Sequence, residues 1–342
     1  MLDLSHEPNS APDLYELLRS DGILRGQQAR LTPLTGGVSS EIYLVSDGPK
    51  TFVVKRALPQ LKVTEQWFAD TNRNASEAAY IHYVGTFSSE NVPRLQYVST
   101  KHGYFCMEYL GAGWQTWKTM MFDGHRNPAI AATAGALLGR IHAWSSRDRK
   151  VASQFRTLSN FEQLRIEPYL LSTARHHPSL EYKFEAEASR LRQQEEVLTH
   201  GDFSPKNILV RHGRLVVVDC EVAWYGDAAF DIAFLLNHLF LKSLALPASE
   251  LFWREMVQAS WSSYLSSRFT NEADEQKRML EGNTTRLLLM LMLARVDGKS
   301  PVEYLTEDQR RRVRSFAVHQ LTGNCKCLSV LAGRWFQSLQ QR

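Results

Sequence analysis

Residues 200–219 read HGDFSPKNILVRHGRLVVVD. His200, Asp202 and Asn207 sit in an H-x-D-x-x-x-x-N spacing, and Asp219 follows Asn207 at the end of an apolar run. Residues 208–210 and 215–218 are rich in β-branched side chains and flank a His212-Gly213 turn, so they form a hairpin that returns Asp219 to the mouth of the loop. Moving a γ-phosphoryl group to a hydroxyl requires a carboxylate to orient the hydroxyl and take its proton, with oxygen ligands for the Mg²⁺ that bridges the nucleotide phosphates. Asp202 suits the first task. Asn207, Asp219 and Glu221 are hard oxygen donors that suit Mg²⁺ rather than zinc. Lys206, inside the same loop, joins Asp202 as a catalytic candidate. His200 braces the loop through hydrogen bonds and leaves the base role to Asp202.

Upstream segments fall in a matching order. Residues 51–56, TFVVKR, alternate as a strand that places Lys55 among apolar neighbours, where a lysine can hold nucleotide phosphates. A helix over 74–84 carries Glu77, the acid that fixes such a lysine. Before them, LTGGVSSEIYLV at 34–45 has a Gly36-Gly37 turn between two strands, with Ser39 and Ser40 able to aim hydroxyls and N–H groups at phosphates. The strand in GYFCMEYL, 103–110, ends in a hinge where backbone groups of Glu108 and Leu110 can read an adenine edge.

With these motifs the chain resembles the aminoglycoside phosphotransferase and choline kinase superfamily, over about residues 30–310. HGDFSPKN takes the place of that family's catalytic loop, and VVDCEVAWYGDAAFDIA at 217–233 looks like its metal segment and following helix. The Asp219-Cys220-Glu221 form and MEYLGAGWQTWK at 107–118 are most similar to methylthioribose kinases. The resemblance implies an α+β, bilobal protein-kinase-like fold, with a small antiparallel-sheet N-terminal lobe (1–108) and a larger, mainly helical C-terminal lobe (109–342). It implies ATP and Mg²⁺ as cofactors and Asp231 as a structural acceptor supporting the catalytic loop. The acceptor, a small molecule with a sugar-like or polyhydroxylated frame, would lie over that loop against Trp114, Trp117, Trp224, Tyr225 and Arg295. Trp224 and Tyr225 are equally readable as core. Methylthioribose kinases carry paired arginines in a late helix where this chain has Ala294-Arg295, so Arg295 reads either as an acceptor contact or as a cation ending an apolar helix.

A protein kinase is disfavoured, because the short span from Asp219 to Asp231 and the missing A-P-E segment leave no room for a peptide-docking activation loop. Gly201 also stands where a protein kinase has arginine. Aminoglycoside sites are strongly acidic, and the acceptor segments here show no such acid cluster. Methylthioribose kinase proper and an aminoglycoside or amino-alcohol kinase remain as alternatives. A non-catalytic nucleotide-binding module is the reading from another class, opposed by the joint presence of Lys55, Asp202, Asn207 and Asp219.

The 342 residues carry 40 basic and 36 acidic side chains, a net charge of +4. The mild, interspersed charge gives no basic patch for nucleic acid. The longest apolar run, 287–294, falls short of the roughly 18 residues a membrane span needs, and MLDLSHEPNS has no signal-peptide pattern. We expect a cytoplasmic protein without nucleic-acid or membrane partners; no pattern specifies an oligomeric state. Cys106, Cys220, Cys325 and Cys327 are too scattered for a disulfide framework, and Cys220 should point into the core. Helices are expected over 13–20, 128–145, 181–194, 229–243 and 249–266, with Asp13 as an N-cap and with Trp253 and Trp261 as packing residues.

Overall fold

In the computed structural model, which describes residues 10–26, 28–34, 39–61, 67–125, 127–246, 248–270 and 274–340, the alternating run around Lys55 is the middle strand of an antiparallel sheet. Strands β1 (Arg30–Pro33), β2 (Ser40–Asp47), β3 (Lys50–Ala57), β4 (Leu95–Ser99) and β5 (Tyr104–Glu108) lie in the order β1-β2-β3-β5-β4. Lys55 is in register with Ile42 on one side and Phe105 on the other. The two-residue period of β3 sorts its side chains. Phe52 and Val54 pack with Leu14 and Leu18 of the helix Ser10–Ser20. Lys55 points to the opposite face, toward Glu77 of the helix Arg73–Gly85. Asp13 lies within the first turn of its helix and bonds Arg56 at 2.8 Å, so the expected N-cap is an ion pair.

Beyond β5 the chain is mainly helical. Asn127 caps the helix Pro128–Ser145 by accepting from the Ala129 N–H, with proline at the first helical position where its missing N–H costs nothing. This helix packs on Glu250–Arg268. A Cβ at Gly135 would lie 2.1 Å from Ser260 O and one at Gly139 2.5 Å from Tyr264 O, so the glycine pair sets how closely the two backbones approach. The helix Ala228–Ala245 is apolar on most of its circumference and packs against Asp274–Asp297. It is the one helix among the described residues long and apolar enough to cross a membrane, and the fold buries most of it. Trp253 and Trp261 are buried as packing residues.

Three short strand pairs carry the loops. β7 (Val197–Thr199) pairs with β10 (Trp224–Gly226), while β6 (Gln115–Thr116), β8 (Ile208–Arg211) and β9 (Arg214–Val217) form a small sheet. His212 (φ 49°) and Gly213 (φ 77°) make the tight β8–β9 turn, both in the left-handed region that such hairpins require. The main apolar core runs from Phe105 and the helix Arg73–Gly85 into the helical part, and a second, smaller cluster around Leu14, Phe52 and Tyr104 packs on the other face of the sheet.

Candidate active site

The candidate catalytic loop leaves β7 through a bend that only glycine fits. Gly201 has φ 75°, and a Cβ there would lie 2.7 Å from Val222 O. Asp231, in the first turn of Ala228–Ala245, accepts the N–H of His200 at 2.6 Å and of Gly201 at 2.8 Å. Two backbone donors that the bend exposes are thereby satisfied. His200 donates from Nε2 to Val218 O (3.2 Å) and accepts the Asp202 N–H at Nδ1 (3.2 Å). Burial lowers its pKa, so it stays neutral and braces loop to hairpin.

Asp202 is buried, and its two oxygens differ. Oδ2 lies 3.0 Å from Lys206 Nζ and 3.0 Å from Arg165 Nη2. Oδ1 is buried with no hydrogen-bond partner among the described residues. Burial alone would raise the Asp202 pKa, but Lys206 and Arg165 outweigh it and hold the group below the usual carboxylate range. The result is an ionised carboxylate with one oxygen anchored and one left to accept. Ser204 Oγ nearby in the loop is likewise buried without a partner among the described residues.

Across the loop, Lys55 Nζ lies 2.7 Å from Glu77 and 2.5 Å from Asp219. Burial disfavours the ammonium, but Asp219, Glu77 and Glu221 outweigh burial and raise its pKa well above normal. The same contest holds Asp219 down, while Glu77, the most enclosed of the acids, is pushed up by its burial. Asp219 has φ 64°, a strained conformation for a residue with a Cβ, and it aims the carboxylate back at the loop. Asn207 donates its Nδ2–H to Asp202 O at 3.1 Å, which turns its Oδ1 away from that carbonyl. Oxygens of Glu77, Asp219 and Glu221 lie within 4.8 Å of one another. With the Asn207 amide, this all-oxygen donor set fits a hard divalent cation. Glu221 is partly committed elsewhere: its Oε2 accepts from Arg73 Nε at 3.0 Å and from Ser40 Oγ at 3.4 Å.

Gly36 and Gly37 lie outside the described residues. Ser39 accepts from Arg73 Nη2 through its carbonyl at 2.6 Å, so Arg73 ties the segment after that loop to Glu221. At the hinge, Glu108 has already given its N–H to Arg94 O at 2.9 Å, which removes it as an adenine donor; Leu110 beyond it is half-buried.

The aromatic acceptor wall needs correction. Trp117 is fully buried in the main core, because it opens the helix Trp117–Phe122 with its side chain turned inward. Its neighbour Lys118 donates its N–H to Pro205 O at 2.9 Å and sends its side chain to Glu303. Trp224 stacks on Phe161 at a 3.6 Å centroid distance and meets Phe230 edge-on, a core position behind the loop. The Tyr225 hydroxyl accepts from Arg147 N (3.0 Å) and donates to Ser145 O (3.2 Å), so it holds the end of the Pro128–Ser145 helix. Trp114 is half-buried in the loop before β6. Arg295 donates from Nη1 to Tyr169 OH at 3.2 Å and to Ser300, facing the ring that also lies under Arg165.

Sequence reading missed Arg165 and Arg73, which approach from outside the motif. Arg165 lies in a π-helical stretch, Glu162–Leu171, that contains Pro168. π-helical segments concentrate at functional sites, and a proline inside a helical run was the one local signal available.

The sequence model of the phosphotransferase enzyme family matches residues 30–255. The methylthioribose kinase of Yersinia pseudotuberculosis serotype IB (strain PB1/+) is 25% identical over 322 residues, covering 82% of this chain and 79% of its own. That of Exiguobacterium sibiricum is 21% identical over 317 residues, with the same coverage of 82% and 79%. Among solved structures, the amicoumacin kinase hAmiN in complex with AMP-PNP, Ca²⁺ and Ami superposes with a TM-score of 0.62 at 16% identity, covering 94% of this chain and 98% of its own. A choline/ethanolamine kinase family protein from Mesorhizobium loti gives a TM-score of 0.53 at 15% identity, covering 97% and 99%. At these identities the two structures establish a shared fold.

Proposed function

Because the chain belongs to the phosphotransferase enzyme family, and is a small-molecule kinase, we propose that it transfers the γ-phosphoryl group of ATP to a hydroxyl of a small polyhydroxylated acceptor, with Asp202 as the base. The reading rests above all on Asp202 Oδ1, a buried carboxylate oxygen without a partner among the described residues, beside an Oδ2 fixed by two cations. An acceptor hydroxyl donates to Oδ1. Its oxygen bonds to the γ-phosphorus as the bond to the ADP oxygen breaks, and its proton passes to Oδ1. Lys55, held by Glu77, contacts the nucleotide phosphates, and Lys206 and Arg165 keep Asp202 ionised and oriented. Asn207 and Asp219 are the residues to hold Mg²⁺, with Glu221 beside them; the bound ion would neutralise charge developing on the phosphates. AMP-PNP and Ca²⁺ in the hAmiN complex support a nucleotide and a divalent cation as the ligands of this fold.

A second reading, methylthioribose itself as acceptor, is supported by the kinase relatives of that name. The test is ADP formation with ATP and Mg²⁺ across methylthioribose, ribose and hexose derivatives, choline, homoserine and aminoglycosides. Acceptor-dependent turnover should fall by roughly 10²–10⁴ in Asp202→Asn while ATP affinity is kept, since a base acts on the chemical step. Unchanged turnover in that variant would remove Asp202 from the role. Nucleotide binding with no turnover in the wild type would favour the non-catalytic module.

A further inference from the structure

The helix Ala228–Ala245 carries Phe234, His238 and Lys242 four residues apart, a single stripe along its length. Lys242 is 1% exposed, and no carboxylate among the described residues pairs with it. Its ammonium lies 5.0 Å from the centre of the Tyr304 ring, and that of Lys118 lies 5.9 Å from the same ring. His238 is buried, packs on Phe234 at 5.3 Å between ring centres, and has no partner at Nδ1 among the described residues. Arg295 Nε and Tyr304 OH are buried and unpartnered in the same sense. The row continues to the catalytic loop: Arg295 donates to Tyr169 OH, and the Tyr169 ring lies 5.3 Å under Arg165, which holds Asp202.

Among the described residues the one carboxylate acting on Lys242 is Glu303, which is exposed and already engaged by Lys118. Burial, then the charges of Lys118 and Arg295, lower the Lys242 pKa to about 7. From His238 the field comes from Lys242, Arg295, Lys206 and Lys118, every one a cation. Burying an ammonium without a counter-ion is costly, and a packed helix gains nothing from it unless an anion arrives to share the site.

Resting on the kinase reading above, we infer that the acceptor is a small hydroxylated anion, whose carboxylate or phosphate group is held by Lys242 and Arg295 while a hydroxyl reaches Asp202. Tyr304 OH, Arg295 Nε and His238 Nδ1 supply further hydrogen-bonding atoms for it. A cationic acceptor such as choline or an aminoglycoside would meet three like charges.

The test compares matched acceptors, gluconate and glucose 6-phosphate against glucitol and glucose, in the wild type and in Lys242→Met. The wild type should prefer one anion class over its neutral partner by at least about tenfold in kcat/KM, and Lys242→Met should erase that preference mainly through KM. Gluconate responding alone assigns a carboxylate, and glucose 6-phosphate alone a phosphate. Calorimetry supplies a readout independent of turnover. At pH 8, binding of the preferred anion to the ATP-analogue complex should take up a proton as Lys242 recharges, seen as a dependence of the heat on buffer ionisation that Lys242→Met lacks. Equal or better use of the neutral acceptors overturns the inference, as does an absence of anion binding to a wild type that still binds nucleotide. If neutral acceptors are phosphorylated in an Asp202-dependent way, the kinase reading survives that failure. Loss of a buried, unpaired charge should also leave Lys242→Met at least as thermostable as the wild type, which separates a binding defect from misfolding.

Discussion

Arg165 Nη2 lies 3.0 Å from Asp202 Oδ2 while its Nε donates to Gly201 O at 2.6 Å, so one guanidinium fixes both the Asp202 carboxylate and the bend that presents it. With Asp202 as the proposed base, Arg165→Met should lower kcat by about 10–100-fold with ATP affinity little changed, because misplacing that carboxylate costs rate and not nucleotide binding. Steady-state kinetics with separate ATP-binding measurements check this. A variant with full kcat would reduce Arg165 to scaffolding.

Gly201→Ala combines a left-handed φ with a Cβ driven 2.7 Å from Val222 O. We expect a destabilisation of roughly 2–4 kcal/mol from strain and overlap together, read by chemical denaturation, and loss of turnover even where the protein stays folded.

Arg73 is fully buried against Glu221, with further bonds to Ser39 O and Leu58 O, both at 2.6 Å. Breaking a buried pair from one side leaves a charge stranded, so Arg73→Met should cost roughly 3–5 kcal/mol. The double variant Arg73→Met, Glu221→Gln should recover part of that loss. Additive losses would contradict a direct pair.

Lys242 has a folded pKa of about 7 against an ordinary 10.5. Below pH 7 the lysine is charged folded and unfolded, and its burial is fully unfavourable. Between about 7 and 10.5 the unfolded chain binds the extra proton, so the unfolding free energy rises with pH across that window. Without acceptor, the wild type should therefore gain stability relative to Lys242→Met from pH 7 to pH 10. Parallel pH profiles for the two proteins would refute the assignment.

The loop at 200–207 and its hairpin were legible because their pattern is local: Asp202, Asn207 and Asp219 meet through one turn and one strand pair. Lys55 and Glu77 were legible by order along the chain, and the helix at 128–145 by its apolar face of Leu137, Leu138 and Ile141. The aromatic residues misled. Tryptophan in a sequence reports a large apolar body, but helix phase decides which way it faces, and that phase turned Trp117 into the core and Lys118 toward Glu303. Arg165, Arg73 and Lys242 were unreadable for the opposite reason. Each is a common surface residue type on its own segment, and only the fold shows that it is buried against Asp202, against Glu221, or without a paired carboxylate among the described residues.

The burial of the helix Ala228–Ala245 sets a constraint on biosynthesis. Its cover, Asp274–Asp297, is encoded after it. At the usual pace of translation the helix waits on the order of 3–10 s for the 52 residues from Ala245 to Asp297 to be made. For that interval the face that Asp274–Asp297 will cover lacks its partner, so a stall in translation between those two helices should leave an apolar surface open to aggregation.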